Sequence, residues 1–211
     1  MKEKVIAFIP ARWGSKRFPG KPLADLGGKS MIHRVYEAVQ KTKVDEICVA
    51  TDDERIINEV QGFGGNAVMT DVNHLTGTDR IIEAFEQYKD KFEYVINVQG
   101  DEPTIHEEDI NSLINILKET PYHIATLVGL LEDSQKKDRN TVKAYIEDNL
   151  IRMFTRSPLI SESVWVKRHI GVYGFSKAIL HMINKMKPTL NEKAENLEQL
   201  RWADHNIHFT Y

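Results

Sequence analysis

The apolar run Val5–Ile9, followed at once by Pro10, constrains this chain more than any other stretch. Such a run reads as a strand buried on both faces. Pro10 should end it, because proline cannot donate to a sheet ladder. The loop that follows carries Arg12, Lys16, Arg17 and Lys21, with Gly14, Pro19, Gly20 and Pro22 between them. Glycines let a backbone approach a ligand closely, and cations suit a polyanion; a solvated basic loop is the plainer reading. The geometry implied is a cationic loop at the carboxyl end of the first parallel strand, where phosphorylated ligands sit in open α/β sheets. It is not a P-loop. Gly14 to Lys21 is one residue too long, and Pro22 replaces the Ser or Thr that would hold magnesium. Gly28-Lys29-Ser30 ends correctly, but Leu23 stands in place of the first glycine.

With 211 residues, the length suits one domain or one domain with a modest lobe. The formal net charge is 28 − 31 = −3, so no global basic field draws the chain to nucleic acid or membranes. The single cysteine, Cys48, rules out an internal disulfide and reads as a core residue. No signal-like segment or long apolar span stands out, so a cytoplasmic protein without membrane insertion is expected.

Apolar runs recur at Glu46–Ala50, Ala67–Met69, Tyr94–Val98 and residues 123–130, separated by helical patterns. This alternation predicts an α/β fold with a doubly wound, mostly parallel sheet. Ser30 should cap a helix reaching about Thr42, Asp52 the helix DERIINEVQGF, and Thr78 the helix DRIIEAFEQY. Asp52 has the alternative of a polar contact beside the site. Gly62, Gly64 and Ala67 spell a nominal dinucleotide fingerprint, but it follows a helix and reads as a turn. Asp101 and Glu102, at the carboxyl end of a central strand, either form a turn before Pro103 or face the cationic loop, Asp101 then holding Mg²⁺. A helix is expected over 107–119. Residues 142–146 and 151–155 read as a hairpin about Glu147-Asp148-Asn149, part of a small β-rich lobe. Arg156 suits bidentate binding of a carboxylate. His169, alone in a strand, reads more simply as a hydrogen-bonded structural residue. ENLEQLRW (195–202) reads as one amphipathic helix burying Leu197 and Leu200, with Glu198 and Gln199 on its solvated face.

The span IPARWGSKRFPGKPL resembles the signature loop of the 3-deoxy-manno-octulosonate (Kdo) cytidylyltransferases, which make CMP-Kdo from CTP and Kdo. ATDDERI, TGTDR, VQGDEP, RSP, RHIGVY and ENLEQL are similar to further motifs of that family, covering nearly all of residues 5–205. The resemblance implies a Rossmann-like nucleotidyltransferase fold. It divides the chain into a nucleotide-binding half (1–130), a sugar-binding and dimerisation lobe (131–175), and C-terminal helices and strand (176–211). It implies nucleotide contacts from Ala11, Arg12, Gly14, Ser15, Lys21, Thr76, Gly77, Thr78, Arg80 and Gln99, and a magnesium ligand in Asp101. Arg12, Lys21 and Asp101 would be catalytic. Sugar-acid contacts would come from Gln99, Arg156, His169, Tyr173, Glu198 and Gln199. CTP and a 2-keto-3-deoxy sugar acid are the implied substrates, Mg²⁺ the cofactor, and a homodimer the assembly.

The segment between Pro158 and Lys167 is shorter than usual in the family. The family also continues into a D-T-P-E-D-L-like segment whose first Asp is a second metal ligand. This sequence ends at Tyr211 without that motif, leaving Asp204 as a candidate by proximity only; the expectation is a truncated chain or a metal site closed otherwise. The alternatives are a cytidylyltransferase for 8-amino-Kdo or a nonulosonic acid, and an inactive CTP-binding homologue.

Overall fold

The computed structural model describes residues 3–14, 18–121, 123–158 and 165–211. The chain forms two compact units, Met1–Ile114 and Asn115–Tyr211. The first alternates strand and helix: β1 (Val5–Ala11), α1 (Met31–Gln40), β2 (Glu46–Thr51), α2 (Glu54–Gly62), β3 (Ala67–Met69), α3 (Gly77–Phe85), β4 (Tyr94–Asn97) and α4 (Glu107–Glu119), which runs on into the second. Its strands are all parallel, in the order β3-β2-β1-β4. Every residue of β1 is buried, as its apolar run requires. Right-handed crossovers put α1 and α2 on one face of this sheet and α3 on the other. On the α3 side Phe8 meets the rings of Phe85 and Tyr88 edge-on.

Pro10 does not end β1. Pairing with β4 stops at Phe8↔Asn97, while pairing with β2 continues to Ala11↔Thr51. In a parallel strand alternate residues bond to opposite neighbours, and Val98 N–H donates to Phe8 C=O. The N–H that Pro10 lacks therefore falls on the side where β4 has already finished.

Two caps also differ from expectation. Thr76, not Thr78, caps α3, in a capping box with Asp79; Asp53, not Asp52, caps α2 by accepting from Arg55 N–H. Ser30 caps α1 as expected, accepting from His33 N–H, and Gly64 makes the turn after α2 with φ +81°.

The second unit holds β5 (Ile124–Gly129), the short α5 (Asp133–Lys136), β6 (Lys143–Glu147), β7 (Leu150–Thr155), β8 (Val166–Ser176), α6 (Lys177–Ile183), α7 (Leu190–Glu195), α8 (Gln199–Asp204) and β9 (Phe209–Thr210). The hairpin β6–β7 turns on Asp148 and Asn149 alone, both at positive φ (52° and 59°), as a type I′ turn requires. The long β8 pairs with β6 through Val166–Arg168 and with β5 through Arg168–Gly174. With β9 between β5 and β7, the five strands close on one another.

The single helix expected over 195–202 is broken. Asn196 takes the left-handed conformation (φ 53°) and ends α7, and α8 begins at Gln199. A buried ion pair holds the two short helices together: Arg201 donates through Nε and Nη2 to Glu192, at 2.9 and 2.6 Å. Glu192 also closes the capping box of Thr189. Removing one partner of such a pair strands the other charge away from water. Glu192→Ala should therefore destabilise the fold by ~3–5 kcal/mol, read as a lower urea midpoint.

Candidate active site

The strand order β3-β2-β1-β4 reverses direction between β1 and β4, and ligands bind outside the carboxyl ends of the strands at such a point. An open cleft of about 250 Å³ lies there. Its walls come from Pro10 to Arg12 after β1, Lys21 and Pro22 of the loop, His74 to Gly77 with Arg80, and Gln99 to Asp101 after β4. Of the residues expected at a nucleotide, Ala11, Arg12, Lys21, Thr76, Gly77, Arg80 and Gln99 line this cleft together with Asp101.

Gly14 and Thr78 are not part of the lining. Gly14 is exposed, and Ser15, Lys16 and Arg17 fall outside the described residues. Thr78 is 2% exposed and accepts from Asn97 Nδ2. It braces the wall from behind, since Gln99 Nε2 in turn donates to Asn97 Oδ1.

Close packing shapes the cleft. A Cβ on Gly100 would stand 2.8 Å from the Pro10 carbonyl oxygen, and one on Gly77 3.1 Å from Pro10 Cγ. At Gly100 only glycine lets the segment press against the end of β1, and at Gly77 a side chain would have to push the Pro10 ring aside. Among the described residues the loop is anchored at its start: Gly20 N–H donates to Trp13 C=O, and the Gly20 Cα faces the Trp13 ring, which a Cβ would meet at 2.8 Å. Arg55 lies 3.3 Å above the same ring, a cation–π contact.

Two ion pairs stand out at the cleft. Lys21 Nζ meets Asp101 Oδ2 at 2.5 Å, both side chains partly exposed at the mouth. Deeper down, Arg80 Nη2 donates to Asp52 Oδ2 at 2.8 Å and Nη1 to Thr70 Oγ1 at 2.5 Å. Asp52 is thus no helix cap; its other oxygen accepts from Trp13 N–H at 3.2 Å. Sequence reasoning gave no place to Pro10, Pro22, His74, Leu75 and Gly100 in the lining. His74 bonds to Glu83 through Nε2, which no spacing rule announces.

The residues expected at the sugar acid, apart from Gln99, lie in the second unit. Arg156 follows β7, its N–H donating to Glu195 Oε2 and its Nη1 to the carbonyls of Arg139 and Asn140. Tyr173 and Gln199 are buried, and Tyr173 packs edge-on against Trp202. Burial pushes the Tyr173 phenol well up, with the Glu198 carboxylate adding to the shift. Asp204, on α8, accepts from Asn191 Nδ2.

His169 is buried on β8 against Phe154. Thr126 Oγ1 gives its proton to the Val172 carbonyl at 2.8 Å, so His169 donates through Nε2–H at 3.0 Å. Burial holds this imidazole down to about 3, against 6.5 ordinarily. Between those values the unfolded chain binds the extra proton. The stabilising contribution is therefore full above pH 6.5 and is lost as pH falls toward 3, with a limiting slope of ~1.4 kcal/mol per unit. Between pH 7 and 5 the unmodified chain should lose ~2 kcal/mol more stability than His169→Gln, measured by urea unfolding at each pH.

Residues 6–208 match the family described as Cytidylyltransferase. The chain is 42% identical over 217 residues to the 3-deoxy-manno-octulosonate cytidylyltransferase of Parabacteroides distasonis, spanning 95% of this chain and 86% of that one. Against the Escherichia coli enzyme of the same name the identity is 38%, with 97% and 85% covered. The solved structure of CMP:2-keto-3-deoxy-manno-octonic acid synthetase complexed with CTP superposes with a TM-score of 0.92 at 36% identity, covering 99% of this chain and 88% of that one. The 4-diphosphocytidyl-2C-methyl-D-erythritol synthase of Anaerococcus prevotii shares the fold alone, with a TM-score of 0.64 at 18% identity and 97% and 85% covered. By family match and by identity, the chain belongs to the cytidylyltransferases, among those named for 3-deoxy-manno-octulosonate.

Proposed function

We propose that this chain transfers CMP from CTP to the 2-hydroxyl of Kdo, giving CMP-Kdo and pyrophosphate. The observation that carries the reading is the pairing of the cationic loop with Asp101 across a cleft at the sheet's switch point. A triphosphate with its cation offers each of these groups a new partner, phosphate oxygens for Lys21 and a metal for Asp101. The hydroxyl oxygen of the sugar acid would attack the α-phosphorus, forming one P–O bond as the bond to the leaving pyrophosphate breaks, with the hydroxyl proton released to water. Arg12 and Lys21 would take up the charge that grows on the phosphate oxygens. Gly77, at the N-terminus of α3, offers its backbone N–H to the nucleotide, and Thr76, whose own N–H donates to Asp79, lines the cleft beside it. Arg156, His169, Tyr173, Glu198 and Gln199 remain the proposed sugar-acid contacts.

Magnesium fits the donor set in one way. Asp101 supplies a half-exposed carboxylate, and among the described residues no group of three or more His, Cys, Asp or Glu could hold a metal. That suits a hard cation that takes one or two protein carboxylates and completes its shell with phosphates and water. When bound, magnesium would neutralise and orient the phosphates. We further propose a cytoplasmic homodimer serving lipopolysaccharide synthesis; among the described residues no helix is long and apolar enough to cross a membrane.

Pyrophosphate release by this chain should require CTP, Mg²⁺ and Kdo together. Lys21→Ala and Asp101→Ala should each lower kcat/KM by ~10²–10³. Full turnover in both variants would overturn these assignments. Release with a nonulosonic acid but not with Kdo would move the substrate to that acid.

A further inference from the structure

Asp52, just beyond β2, bonds to the Trp13 amide beyond β1 and to Arg80, which in turn reaches Thr70 beyond β3. The register Ala11↔Thr51↔Met69 across β1, β2 and β3 brings the residues just beyond those strands side by side. Thr70 donates its hydroxyl to the Thr51 carbonyl and accepts from Arg80; Asp52 accepts from Arg80 and from the Trp13 amide. The side chains of Arg80 and Asp52 are 3% and 8% exposed. The charge of Arg80 is thus matched within the wall, although the residue lines the cleft. A buried pair of this kind is a poor device for stability, since packed apolar residues of similar volume often do as well or better. A pair that joins two parts of a site fixes their separation. Here those parts are the start of the cationic loop and the first turns of α3.

We propose that Asp52 is a positioning residue for the nucleotide, holding the phosphate-facing loop through Trp13 and the α3 N-terminus through Arg80. The inference rests on the nucleotide reading of the cleft. Arg80 then acts through its place in the wall, not as a free cation for phosphate. Arg55 over Trp13, and Trp13 against Gly20, extend the same hold along the loop.

Two measurements test this. In Asp52→Ala, hydrogen exchange at the Trp13 amide, with no nucleotide added, should quicken at least about tenfold, as loss of a bond to a charged acceptor implies. In Asp52→Asn an acceptor for Trp13 remains but the counter-charge to Arg80 is gone. That variant should raise KM for CTP about tenfold and leave KM for Kdo within about twofold, a split that general loosening of the fold does not produce. Should the alanine variant fail to fold, the isosteric asparagine variant decides by its KM ratio. Unchanged exchange in Asp52→Ala, or a KM for CTP that stays put or rises in step with that for Kdo, overturns the inference. If the unmodified chain turns over no CTP with Kdo, the proposed function fails, and the exchange result still judges whether Asp52 holds the loop.

Discussion

Everything in the first unit depends on the parallel register of β1 with its two neighbours. Hydrogen bonding fixes Ala11 opposite Thr51 and Phe8 opposite Asn97, so the segments beyond those residues must emerge at the same edge of the sheet. No long-range pattern in the sequence brings Arg12, Asp52, Thr70 and Gln99 together; the ladder does. Because β4 stops three residues short of the end of β1, a notch opens beside Pro10, and Gly77 and Gly100 pack into it. The cleft is in this sense a by-product of strands of unequal length at a switch point.

Charge inside both units is placed with the same restraint. Arg80 with Asp52, and Arg201 with Glu192, are arginine–carboxylate pairs held almost out of water. An arginine cannot discharge itself by losing a proton, so a buried one requires an acid beside it. The planar guanidinium reaches two oxygens of Glu192, and in the other pair it divides between Asp52 and Thr70. The exposed pair at the cleft mouth, Lys21 with Asp101, is different in kind: water screens it, and little energy opposes its exchange for other partners.

The elements were legible where one local signal decided them. The apolar runs mark the strands, and α4 has the bounds expected of it, 107–119, burying Ile110, Leu113, Ile114 and Leu117 at i, i+3, i+4 and i+7. The signals failed where two residues competed for one role. Thr76 and Thr78 both resemble caps, yet only Thr76 has an acid three residues on to complete a capping box; that clue was present and decisive. Asp52 and Asp53 offered no such clue, because the choice follows from where β2 releases the chain. Pro10 misled because a ladder ends on one side of a strand at a time. The break at Asn196 was hidden by good helical spacing on either side. At the site, Arg12, Lys21 and Asp101 could be named from charge and position, whereas the roles of Asp52 and His74 exist only in three dimensions.

The insertion of β9 between β5 and β7 has a consequence for how the protein is made. All strands of the first unit lie within residues 5–97, and the pairings of these strands with one another can form while synthesis continues. The second unit cannot close in that order. Phe209, which is 1% exposed and packs against Phe154 and Trp202, must arrive before β5 and β7 acquire their common neighbour. Until the ribosome has passed it, the edges of β5 and β7 that β9 joins stay unpaired and open to the wrong partner. The half of the chain that matures last is therefore the one most exposed to misassembly at birth.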